Sequence, residues 1–123
     1  MSSVAGRAIA PLALMVVIFL LSGQRSVGSD LAEWTRWVSH FSEYALLAAL
    51  WAWALAPELG RRALSAAMAI SFFYAISDEF HQSFVEGRDS DPFDVMVDSL
   101  GIVAAAVAVA WWWRRERSRR VMD

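Results

Sequence analysis

Four apolar runs are spaced along the chain: AIAPLALMVVIFLL at residues 8–21, ALLAALWAWALA at 45–56, ALSAAMAISFFYAI at 63–76 and SLGIVAAAVAVAWWW at 99–113. Each holds roughly 12 to 15 residues, whereas a helix needs about 20 to cross the hydrocarbon core of a bilayer. The pattern therefore predicts four helices that cross only by drawing their polar flanks in with them. His40 and Glu43 then fall at the start of the second helix, Asp78 at the end of the third, and Asp94 and Asp98 at the start of the fourth. Ahead of the second run, Leu31, Trp34, Trp37 or Val38, and Phe41 recur at helical spacing. This predicts a short helix lying flat in the membrane interface with its tryptophans at headgroup depth.

The polar positions fall into stripes. His40, Glu43, Tyr44 and Leu47 share one face of the second helix, and Ser71, Tyr74, Asp78 and Gln82 run up one face of the third. Tyr44 taken alone reads as a residue of an interfacial aromatic belt. His81 lies beside the second stripe, and Glu79 is rotated about 100° from Asp78 on an ideal helix. In the fourth helix, Asp91 or Ser90 is placed to cap a helix whose first residue is Pro92. Asp94 stands at the third position, where a carboxylate also favours the exposed N–H groups. Asp98 is one turn deeper, beyond the reach of capping, on a face continued by the small residues Gly101 and Ala105, which permit close helix contact. Arg88 is the expected partner for these acids, because it alone of the arginines lies in the loop before the fourth helix.

Composition supports the membrane reading: 58% of the 123 residues are hydrophobic, with seven Trp and seven Phe. A chain of this length with no linker-like stretch predicts a single domain over residues 1–123. The net charge is −2, so the arginines of WWWRRERSRR read as a membrane flank and not as a nucleic-acid site. No cysteine is present, which removes disulfides, thiolate metal sites and Cys nucleophiles. With four crossings, eight arginines (7, 61, 62, 114, 115, 117, 119 and 120) share one side and three (25, 36 and 88) the other. Both termini are thus expected in the cytoplasm, residues 114–123 forming a basic cytoplasmic tail and the acidic stretch facing outward. The first run also fits the outline of a signal peptide, but no A-x-A pattern follows Leu21, so cleavage is not expected.

The candidate catalytic set is His40, Glu43, Asp78, Glu79, His81, Asp94 and Asp98, and the candidate ligand-binding set is Tyr44, Gln82 and Arg88. The histidines suit proton transfer, the carboxylates base or metal-ligand roles, and Arg88 an anionic headgroup. A divalent cation is an open alternative at Asp78, Glu79, His81 or His40, although the spacing matches no established metal motif. Three readings stand side by side: an envelope enzyme, a non-catalytic module that binds or shields a lipid or wall precursor, and a structural network with no ligand. A transporter is disfavoured, since neither inverted repeats nor broken midplane helices are visible.

The motifs resemble those of the VanZ-like family of small bacterial membrane proteins. The family pattern of S-x-Q, then H-F-x-E-Y-x-x-L, then D-E-x-H-Q-x-F-x-P-G-R and D-V-x-x-D/N-x-x-G falls in order on this chain. Its positions are Ser22 and Gln24; His40, Phe41, Glu43, Tyr44 and Leu47; Asp78, Glu79, His81, Gln82, Phe84, Gly87 and Arg88; and Asp94, Val95, Asp98 and Gly101. Glu86 departs from it, standing where the family usually has Pro. The resemblance implies an all-α, polytopic protein of the bacterial cytoplasmic membrane: a four-transmembrane-helix bundle with the short interfacial helix before its second span. The family is named for a member associated with resistance to the glycopeptide teicoplanin. The implied partner of an outward-facing polar site is therefore a membrane lipid or cell-wall precursor.

Overall fold

The computed structural model describes residues 3–22, 33–85 and 91–123. Among them are four α-helices and no strand: α1 Val4–Ser22, α2 Glu33–Leu59, α3 Arg62–Gln82 and α4 Pro92–Met122. With 19, 27, 21 and 31 residues they extend about 29, 40, 32 and 46 Å at 1.5 Å per residue. The polar flanks have been drawn into the helices, as the short apolar runs require. Two of the four, α1 and α4, are both long and apolar enough to cross a membrane; α2 and α3 have the length, but their polar stripes lower their apolarity.

Residues 33–44 are not a separate interfacial helix. They are the first turns of α2, which continues without interruption to Leu59. Helical periodicity was read correctly in that segment, but nothing between Trp34 and Leu47 is a breaker, so a single rod forms.

α2 is the central element and packs on the other three, most extensively on α4, whereas the backbones of α1 and α3 approach closely at few points and meet through side chains. The core joins Ile18, Tyr44, Leu47, Ala48, Ala75 and Ile102. Much of the rest of the interior is small: Ala52, Ala54, Ala63, Ala67 and Gly101 are buried. Small residues let helix backbones approach closely, which is how helices associate where no hydrophobic drive exists between them. The distribution is inside out relative to a water-soluble bundle. Ser22, His40, Ser71, Asp78, Gln82, Asp94 and Asp98 are buried, while Ile9, Val16, Leu20, Phe73, Val107 and Trp112 face outward. An apolar exterior of this extent around a polar core is matched to lipid, not water.

The α2–α3 connection is a tight hairpin of Gly60 and Arg61. Gly60 has φ +56°, the left-handed conformation that ends a helix without Cβ strain, and its N–H bonds to the Ala56 carbonyl at 2.9 Å. One turn earlier, Pro57 lacks the N–H that would satisfy the Trp53 carbonyl. Arg7 of α1 replaces it, donating from Nη1 to that oxygen at 3.0 Å with its guanidinium 4.9 Å from the centre of the Trp53 ring. Arg7→Met should therefore lower stability by about 0.5–1.5 kcal/mol, since the donor to an exposed carbonyl is lost. Thermal unfolding of Arg7→Met in detergent checks it: the same substitution in a Pro57→Ala background should cost clearly less, because the helix then bonds its own carbonyl.

Candidate functional site

The helices alternate in direction, so the C-terminal ends of α1 and α3 meet the N-terminal ends of α2 and α4. The buried acids among the described residues, Asp78, Asp94 and Asp98, are gathered there. α2 and α4 run parallel, and each carries polar side chains one turn apart: Arg36 and His40 on α2, Asp94 and Asp98 on α4. A constant offset of 58 residues aligns them into two rungs. Arg36 Nη2 donates to Asp94 Oδ2, and His40 Nδ1 lies 2.8 Å from Asp98 Oδ1. The histidine is thereby held through Nδ1 by a carboxylate, the arrangement that fixes the tautomer of a general base.

A second network joins the ends of α1 and α3. Asp78 accepts from Ser22 Oγ on one oxygen; on the other it accepts from Tyr44 Oη at 3.1 Å and Gln82 Nε2 at 3.4 Å. Gln82 Nε2 also donates to Ser22 Oγ at 3.1 Å. The Tyr74 hydroxyl donates to the Met15 carbonyl at 2.6 Å, tying α3 to α1 a little deeper. With Ile18 in the core and Ser22 in the network, α1 is an integral wall of this site. Two buried acceptors, Gln82 Oε1 and Asp94 Oδ1, have no hydrogen-bond partner among the described residues.

Between the two networks lies a cavity of about 190 Å3, lined by Ser22, Arg36, Ser39, His40, Glu43, Asp78 and Gln82, with Ile18 and Leu21 as its apolar wall. Arg36 bridges inside and outside: its side chain is 36% exposed, while that of its partner Asp94 is 1% exposed.

The sequence-predicted residues thus divide into three groups. His40, Glu43, Asp78 and Gln82 line the cavity, and Asp94, Asp98 and Tyr44 stand behind it, holding Arg36, His40 and Asp78 in turn. Tyr44 is fully buried in the core and not a headgroup-level belt residue, because its hydroxyl finds Asp78. Half-buried Glu79 and His81 do not line the cavity; the His81 ring stacks on Phe19 with centroids 4.5 Å apart. Arg88 lies outside the described residues. The arginine seen on these acids is Arg36, which sequence reasoning had used only to count charges. Its signal was available: Arg36, His40, Tyr44 and Leu47 continue one face of α2 at spacings of four, four and three.

At the start of α4, Asp91 takes the capping role and accepts from the Phe93 N–H at 3.0 Å, with Pro92 in the first turn. Asp94 accordingly turns inward to Arg36. No group of three or more His, Asp or Glu side chains is placed to hold a metal ion among the described residues. The acids are separated by their pairing with Arg36, His40 and Ser22.

A family model described as VanZ/LLP1 matches residues 8–114. No curated protein and no solved structure matches the chain. The matched stretch runs from the second turn of α1 to the aromatic end of the apolar run in α4 and includes every residue of the polar cluster, and on this basis, with two helices apolar enough to span, the chain belongs to the VanZ/LLP1 family and is a membrane protein.

Proposed function

We propose that this chain is a four-span protein of the bacterial cytoplasmic membrane, with both termini cytoplasmic, whose outward cavity binds the headgroup of an anionic envelope lipid or lipid-linked wall precursor. The observation that carries this reading is the juxtaposition, in one cavity between the helix ends, of the half-exposed Arg36 with His40, Glu43 and Gln82. A planar guanidinium suits a phosphate bidentately. The unpartnered acceptor of Gln82 favours a ligand that also carries a hydroxyl, as a phosphoglycerol or phosphosugar does. At about 190 Å3 the cavity is below the ~300–1,000 Å3 that hold drug-sized ligands. It accommodates a headgroup, not a glycopeptide, so any effect on teicoplanin resistance would run through the lipid or precursor. The His40–Asp98 pair could additionally move a proton on a bound group, which is the enzymatic form of the same reading.

A structural reading has its own support, because Asp94, Asp98 and Asp78 are each paired within the protein. Ser39 separates the two readings: it lines the cavity, yet its side chain is exposed and outside both networks. Ser39→Phe should plug the cavity and weaken binding of phosphatidylglycerol or a short polyprenyl diphosphate by about tenfold or more, some 1.4 kcal/mol, with helicity unchanged. Native mass spectrometry of the purified protein measures this. Equal retention by wild type and Ser39→Phe would leave the structural network as the better account. A single cysteine at Ser118, blocked from labelling until cells are permeabilised, checks the orientation in the same preparations.

A further inference from the structure

At the opposite end of the bundle, a larger cleft of about 560 Å3 opens between the α2–α3 hairpin and the C-terminal third of α4. Arg61 reaches it from the hairpin, and Trp113, Arg117 and Arg120 reach it from one face of α4, with Trp112 and Glu116 beside them. Three guanidinium groups therefore face one carboxylate. The turn itself adds no bulk: a Cβ built on Gly60 would meet nothing within 4 Å, so the cleft stays open above the hairpin.

We propose that this cleft binds the headgroup of an anionic phospholipid. Charge complementarity identifies an anion, and Arg forks favour phosphate oxygens. The surroundings identify a lipid. Ala104, Ala108 and Trp112 stand outward at spacings of four on the side of α4 that runs down into the cleft, so a molecule whose phosphate meets the arginines can lay its acyl chains along the same helix. Tryptophans at this level give the glycerol region an amphipathic wall. Basic pockets at helix ends are a recurrent means of holding acidic lipids. This site is about a helix length from the polar cavity and stands or falls independently of it.

The test compares the full-length protein with two triple variants that remove the same charge. R61Q/R117Q/R120Q strips the cleft; R114Q/R115Q/R119Q strips arginines of the same tail that do not line it, Arg115 being stacked on Trp111 at 4.8 Å. Titration of phosphatidylglycerol into each protein in phosphatidylcholine nanodiscs should show affinity about tenfold weaker for the first variant and within about twofold of wild type for the second. Equal losses in both would make the effect a general field of the basic tail, and no loss in the first would remove the site; either overturns the proposal. Displacement of the lipid by millimolar inorganic phosphate would assign the cleft to a soluble anion and overturn it also. Arg61→Gln alone, in the exposed hairpin turn, should move affinity in the same direction on a smaller scale, so the outcome does not hang on the folding of a triple variant.

Discussion

Arg36→Met should destabilise the fold by about 3–5 kcal/mol, whereas Asp94→Leu, on the other end of the same ion pair, should cost only about 1 kcal/mol. The asymmetry follows from burial. Asp94 is 1% exposed and the Arg36 side chain 36%. Removing the arginine leaves a carboxylate without its counter-charge in a medium of low dielectric, which is the costly way to break a buried pair. Removing the aspartate leaves a long cation whose head can turn toward water or lipid headgroups. What Asp94→Leu does lose is a charge in the first turn of α4, worth about 0.3–1 kcal/mol against the helix dipole. The double variant Arg36→Met/Asp94→Leu should lie close to Asp94→Leu, since no uncompensated charge remains. Denaturant or thermal unfolding in one detergent, with all four proteins in a double-mutant cycle, reads these differences directly. Equal and small losses in the two single variants would mean that Asp94 is solvated and that the two-rung ladder does not hold α2 to α4.

Much of this arrangement was legible in the sequence because helical periodicity and polarity are local properties. Four short apolar runs can span only with polar flanks included, and that alone sent His40, Asp78, Asp94 and Asp98 toward the bundle interior. The spacing of Asp94, Asp98 and Gly101 also placed acids and a close-approach residue on one face of α4. What remained hidden is register. Nothing local says that α2 and α4 run parallel with their ladders aligned at an offset of 58 residues, so Arg36 could not be matched to Asp94, and Arg88 was preferred on nearness in the chain. The role of Tyr44 was missed for the same reason. A tyrosine near a helix start resembles a belt residue until the end of α3 delivers Asp78 against its hydroxyl. Pro57 and Arg7 are a third instance, since the orphaned carbonyl is visible in the sequence but its donor comes from 46 residues away.

Gly101→Ala should be destabilising by about 1–3 kcal/mol, although alanine is the better helix former by close to 1 kcal/mol and would stabilise α4 if there were room. There is none. A Cβ built at position 101 would overlap the Phe41 carbonyl oxygen of α2 and stand 3.1 Å from its carbonyl carbon and 3.2 Å from its Cα. The obstructing atoms are backbone, so no rotamer change relieves them and the two helices must separate. Position 101 is within one turn of Asp98, and Phe41 adjoins His40. Separation there therefore loosens the His40–Asp98 contact first and the Arg36–Asp94 rung with it. A stability loss should accordingly be accompanied by weaker headgroup binding in the cavity, with binding falling by about tenfold. Trimming the side chain with Phe41→Ala should not rescue Gly101→Ala, because it is the main chain that collides; a rescue would show that the helices meet through the phenyl ring instead. A Gly101→Ala protein as stable as wild type, with unchanged lipid retention, would mean that α2 and α4 are farther apart than the two rungs require.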